Sequence, residues 1–182
     1  TPSEFLKNKL ALNGFEEKRI HCIPTFTASK TTIGKQQIGS YGLYFGRVTE
    51  EKGVETVIKA YEKLPEYTVK IMGDDTTDEA KRLKKYVENH KMKNVEFLGF
   101  KSGAELENVI KGARFTLIPS IWYDNLPNTA LESFQYSKPV IASNIGSLPE
   151  LVIDGENGYL FKPSNVEDLI KKIKMLDDDT LV

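Results

Sequence analysis

Two carboxylates, Asp124 and Glu132, stand eight positions apart in the run PSIWYDNLPNTALESFQYSKPVIAS that begins at Pro119. A carboxylate accepts hydrogen bonds from hydroxyls without changing its protonation state, so such a pair suits the hydroxyls of a sugar or a ribose. Between them, Pro127-Asn128-Thr129 suits the opening of a helix whose N-terminal end points at a diphosphate. Upstream, YGLYFGRVTEEKG places Arg47 directly after Gly46 and Lys52 five residues further on, at the expected start of a helix. Two cations beside a strand end can meet one anion. If cations and carboxylates face one crevice, the ligand is charged and rich in hydroxyls, as a nucleotide sugar is. A plainer arrangement uses the same residues: Arg47 and Lys52 in an ordinary charged loop, Asp124 as a loop carboxylate, and Glu132 solvated on its helix.

Other residues point to less. Ile145-Gly146-Ser147-Leu148-Pro149-Glu150 can turn sharply at Gly146, which brings Glu150 to the rim or leaves it as a capping glutamate. Trp122 and Tyr123 flank a strand end, where aromatic residues pack more often than they stack on a ligand. His21 and His90 are far apart and have no partner at ligand spacing, so no metal site is expected. Cys22 is the only cysteine, which excludes an internal disulfide; it is expected as a small buried residue in a strand around Arg19–Ile23. No GxGxxG fingerprint, GxxxxGK[ST] loop or nucleophile–base spacing is present, which counts against dinucleotide, P-loop and covalent chemistry. Twenty-five basic against 26 acidic residues give a net charge of −1, without the field that gathers nucleic acid. No continuous apolar run of membrane-spanning length and no secretory leader pattern occur, and a reducing, cytoplasmic setting is expected.

The elements that must position these residues emerge at Tyr41. Before it, SEFLKNKLALNGF reads as a short helix capped by Ser3, KRIHCIPTF as a strand, and TASKTTIGKQQIGS as a linker. From Tyr41 on, strands YGLYFGR, YTVKIMG, NVEFLG, RFTLIPS and PVIAS alternate with helices. The first helix, VETVIKAYEKL, carries Val54, Val57, Ile58, Tyr61 and Leu64 on one face; others are expected over Thr77–Asn89, Ser102–Lys111, Asn128–Tyr136 and Val166–Leu176. Such alternation predicts an α/β fold, a doubly wound, Rossmann-like parallel sheet with helices on both faces. These sheets bind ligands beyond the C-terminal strand ends. Gly46-Arg47, Gly73-Asp74, Gly99-Phe100 and Pro119-Ser120 all fall there and would line one rim.

The ordered set GRVTEEKGVETVIKAY, KIMGDD, VEFLGF, the Pro119–Glu132 segment, KPVIAS and LVIDGENGYLFKPSNVEDL resembles the C-terminal, donor-nucleotide-binding domain of the retaining glycosyltransferases of family 4 (glycosyl transferases group 1). The resemblance covers most of the chain and implies one half of the two-domain GT-B fold. It implies a division at Tyr41, with residues 1–40 the tail of a preceding domain plus linker and 41–182 a donor-binding domain that stops short of the family's terminal helices. Carried over residue by residue, Arg47 and Lys52 resemble the pair that holds the donor diphosphate, and Asp124 and Glu132 the acidic ends of the E-x7-E motif. Asp124 would face the transferred sugar and Glu132 the ribose; Arg47, Lys52 and Asp124 would carry the catalysis. Gly99 and Phe100 would meet the base, Gly46, Gly73 and Asp74 would line the rest of the donor site, and the Leu126–Thr129 loop would approach phosphate and sugar. Two departures stand out: the first acid is one methylene shorter, and NLPNT replaces a common Phe-Gly pair. The implied donor is a nucleotide diphosphate sugar with no separate cofactor. The acceptor, and any association with a membrane surface, would belong to the preceding domain. A non-catalytic nucleotide or sugar-phosphate binding domain, a phosphorylase and an epimerase of the same architecture are the alternative readings.

Overall fold

In a computed structural model that describes residues 1–26 and 39–178, the strands are β1 (Tyr41–Phe45), β2 (Val69–Met72), β3 (Val95–Gly99), β4 (Ala113–Ile118), β5 (Val140–Ser143) and β6 (Gly158–Phe161). The helices are α1 (Glu4–Leu12), α2 (Val54–Glu62), α3 (Asp78–Asn89), α4 (Gly103–Gly112), α5 (Asn128–Gln135), α6 (Leu148–Leu151) and α7 (Val166–Asp178), with 3-10 turns at Glu17–Arg19 and Glu50–Lys52. All ladders are parallel, in the order β3-β2-β1-β4-β5-β6. The sheet is therefore doubly wound, as expected, and its order reverses between β1 and β4.

Alternation along the strands decides which helix covers which face. Tyr44, Ile71, Phe115, Leu117 and Ile141 point to one side, where Val57, Ile58 and Tyr61 of α2, Leu83 of α3, and Leu169 and Ile173 of α7 close over them. Leu43, Phe45 and Met72 point to the other and meet Ile110 and Leu106 of α4. Ile118, Val140 and Ala142 continue that second face under Ala130 and Phe134 of α5 and Leu148 of α6. Start signals hold where a side chain could reach: Ser3, Thr77 and Asn165 accept from Leu6 N at 3.2 Å, Ala80 N at 3.1 Å and Asp168 N at 2.9 Å.

The N-terminal reading needs correction. KRIHCIPTF makes a 3-10 turn and then, as far as Phe26, irregular chain; no strand lies beside it among the described residues, and β-rich composition forms a strand only with a partner ladder. Cys22 is accordingly half-buried, not a core residue. The expected linker falls mostly on 27–38, outside the described residues. Helix α1 docks back onto the rim of the sheet: Glu150 of α6 accepts from Glu4 N at 2.9 Å and Phe5 N at 2.6 Å, and the Phe5 ring lies 5.0 Å from that of Tyr123.

Candidate functional site

The reversal point between β1 and β4 brings two loops together that lie far apart in sequence. After β1 the chain runs through Gly46, Arg47 and the turn that ends in Lys52; after β4 it runs through Pro119, Ser120 and on to Asp124. Close approach is built in. Ile121 N–H donates to Glu51 O at 3.0 Å, and Gly53, at φ +67°, lies so near the second loop that a Cβ there would sit 2.0 Å from Pro119 O. Gly53 also breaks the expected helix start: Lys52 closes its own 3-10 turn, and α2 begins one residue beyond the glycine. At the next strand exit a Cβ on Gly73 would lie 2.0 Å from Gly46 O, so β1 and β2 leave the sheet in contact.

Across this seam Lys52 Nζ meets Asp124 Oδ1 at 2.5 Å, with the side chains only 19% and 15% exposed. Ser120 Oγ, buried, donates to Asp124 Oδ2 at 2.6 Å, and Ser147 Oγ donates to the Asp124 carbonyl at 2.8 Å. Arg47 is mostly exposed, 3.6 Å from Glu51, and is free to swing. Its carbonyl is held by the buried Tyr44 hydroxyl, which burial and then the Asp124 charge keep far above the usual phenol range, so it remains a donor. Helix α5 is fixed by a buried chain: Thr116 Oγ1 donates to Ser133 Oγ at 2.8 Å, and Ser133 Oγ to Thr129 O at 2.6 Å. That chain aims the start of α5, preceded by Pro127 as its cap, into the crevice.

Two adjoining cavities result. The smaller, of about 210 Å³, is walled by Tyr44, Arg47, Lys52, Ser120, Asp124 and Asn128, with Gly46, Pro127 and Thr129 at its edges. The larger, of about 610 Å³, runs from Gly46, Arg47 and Thr129 past Gly73 and Asp74 to Phe100, Lys101, Leu106 and Glu132. Gly46, Arg47 and Thr129 line both, so the two form one crevice over the strand ends. Burial pushes the Glu132 carboxyl above its ordinary value. Asp74 turns inward on its own loop: its Oδ1 accepts from Thr76 N at 2.9 Å and Thr76 Oγ1 at 2.6 Å, the hydroxyl first among the causes that hold its pKa below the ordinary carboxylate value.

Of the residues expected at the site, Gly99 and Leu126 line neither cavity; Gly99 instead accepts from Gly73 N at 3.1 Å and steers the chain toward Phe100. Ser120 and Lys101 stand in the crevice without having been singled out as ligands; their place just past strand exits was the available signal. Trp122 and Tyr123 are 64% and 54% exposed, so packing into a core does not explain the Trp122 ring. Glu150 caps α1 and does not enter either cavity. Among the described residues no three His, Cys, Asp or Glu side chains are grouped to hold a metal, and no helix is long and apolar enough to cross a membrane.

Comparison with known proteins agrees with this fold. The family model described as glycosyl transferases group 1 matches residues 29–180. An uncharacterized glycosyltransferase of Methanocaldococcus jannaschii is 34% identical over 172 residues, covering 94% of this chain and 47% of its own length. Glycogen synthase of Mycobacterium tuberculosis is 30% identical over 163 residues, covering 85% of this chain and 37% of that protein. The chain thus spans about half, or less, of the length of the curated relatives it matches. Among solved structures, HepE of Anabaena, crystallised with UDP, superposes with a TM-score of 0.88 at 22% identity over 99% of this chain and 54% of that one. A glycosyltransferase of Rickettsia africae gives 0.86 at 22% identity over 97% and 52%. The doubly wound sheet is one half of a GT-B fold, and the chain belongs to the group 1 glycosyl transferases.

Proposed function

We propose that the chain is the donor-binding half of a retaining glycosyltransferase, which moves a sugar from a nucleotide diphosphate to an acceptor held by a preceding domain. The observation that carries this reading is the single crevice at the β1/β4 reversal, with Lys52 at one end, Arg47 where the two cavities join, and Glu132, Phe100 and Lys101 toward the other. Its polarity fits the parts of such a donor. Diphosphate belongs beside Arg47 and Lys52 near the start of α5, ribose beside Glu132, and base toward Gly99 and Phe100. The sugar lies toward Asp124 and the Leu126–Thr129 loop. HepE, of the same fold, has been crystallised with UDP and with UDP-glucose, which supports the ligand class.

Cations brought against a leaving diphosphate stabilise charge that grows in the transition state, so Arg47 and Lys52 would accelerate transfer beyond binding alone. No general base is required from this half. The decisive test is titration calorimetry of this chain against UDP, GDP, ADP, CDP and dTDP. One base should bind, and Lys52→Ala should weaken it about tenfold or more. Arg47→Ala, from a more exposed start, should weaken it about fivefold. A folded chain that binds none of the five would falsify the reading.

A further inference from the structure

Every oxygen of Asp124 already accepts a hydrogen bond. Oδ1 accepts from Lys52, Oδ2 from Ser120, and the main-chain carbonyl from Ser147, at 2.5, 2.6 and 2.8 Å. Ser120 is 1% exposed. Its loop is pinned by the Ile121–Glu51 hydrogen bond and by the contact of Gly53 with Pro119, so its hydroxyl has a fixed place from which to donate. A carboxylate held by one partner can turn about its terminal bond; held by two, on different oxygens, its plane is set. Lysine is the flexible member of this trio. Its ammonium is a point charge on a four-carbon stem with three donors, and without a fixed acceptor it would spread over many rotamers. One donor to Asp124 leaves two for an anion entering the smaller cavity.

We propose that Ser120 is a positioning residue of the donor site: it sets the plane of the Asp124 carboxylate, which holds the Lys52 ammonium where a diphosphate meets it. The inference rests on the functional reading above and deepens it. Asp124 then acts chiefly on Lys52, and the diphosphate arrives at an ammonium already oriented, so less freedom is lost on binding.

The test is calorimetry of this chain with the tightest of UDP, GDP, ADP, CDP and dTDP, alongside NMR shift titration with the matching nucleoside. Ser120→Ala should weaken the diphosphate about tenfold and leave the nucleoside within twofold. The double variant Ser120→Ala/Asp124→Asn should bind no worse than Asp124→Asn alone, because Ser120 works through Asp124. If alanine lowers the melting temperature, Ser120→Cys, similar in size but a weak donor, must show the same loss. Wild-type protein that binds no diphosphate overturns the functional reading and this inference together. Wild-type binding with an unweakened Ser120→Ala or Ser120→Cys overturns this inference alone. So does an equal loss for the nucleoside, or losses at Ser120 and Asp124 that multiply.

Discussion

Glu132 sits half-buried at the edge of the larger cavity, and burial is the one influence on its carboxyl. Its carboxyl is raised by burial, so the folded chain holds its proton more tightly than the unfolded chain does. The group therefore opposes folding above its folded pKa, and that opposition lifts as pH falls through it. Glu132→Gln should raise the melting temperature near neutrality by roughly 1–2 °C, a gain that fades as pH falls through the raised folded value and is gone below the ordinary glutamate value of about 4.3. Nucleoside diphosphate affinity should fall about fivefold in the same variant. Calorimetric melts at several pH values and one titration check both; a melting temperature that falls instead would place Glu132 in the fold and not in the site. Gly46, Arg47, Gly73, Asp74 and Phe100 were legible in the sequence because each stands just past a strand, and Asp124 and Glu132 because of their spacing across a strand–helix junction. Their pairing was not. Lys52 and Asp124 lie in neighbouring loops only because β1 adjoins β4, and strand order is written in packing, not in local spacing.

Helix ends show how far local sequence reaches. α5 closes with Ser137 at φ +50°, its N–H on Phe134 O at 2.9 Å and Lys138 N on Ser133 O at 2.9 Å. α3 closes likewise with Lys91 at φ +52°, its N–H on Glu88 O at 3.0 Å and Met92 N on Val87 O at 3.1 Å. Both are Schellman ends with a non-glycine residue in the left-handed position, which costs about 1–2 kcal/mol. Part of that is offset by the extra freedom of glycine when unfolded. Ser137→Gly and Lys91→Gly should each stabilise by about 0.5–1 kcal/mol, or roughly 2–3 °C, additively because they sit on different helices. Differential scanning calorimetry decides it, and a loss in either variant would mean the left-handed residue makes a favourable contact. The strands divide in the same way. Strands β1 to β5 were visible as apolar runs between turn residues, whereas β6, four residues in GENGYLFK, was not expected. It is a strand because β5 offers it a ladder from Val140 to Ser143, and KRIHCIPTF is none because nothing among the described residues does.

At the scale of the molecule, α1 is an appended element held at few points. Glu150 satisfies two of its first amides and Ser3 a third, while Lys9 lies 5.6 Å from the Phe5 ring centre and 5.1 Å from that of Tyr123. None of the buried core residues belongs to it. Glu150→Ala should therefore speed hydrogen exchange of the first turn of α1 about tenfold, the loss of a capping carboxylate, and leave the strand amides unchanged. Exchange that quickens equally in β1 and β4 would show that α1 is part of the cooperative core. The position of the crevice has a consequence in time as well. Strands β1, β2 and β3 all lie before residue 100 and can pair with one another as that stretch of chain emerges. The crevice cannot exist until β4 is laid beside β1 and the Asp124 loop reaches Lys52, so the proposed donor site arrives late in assembly. Once there, a ligand touching both loops fastens the early half of the sheet to the late one, and its concentration sets how tightly the seam stays shut.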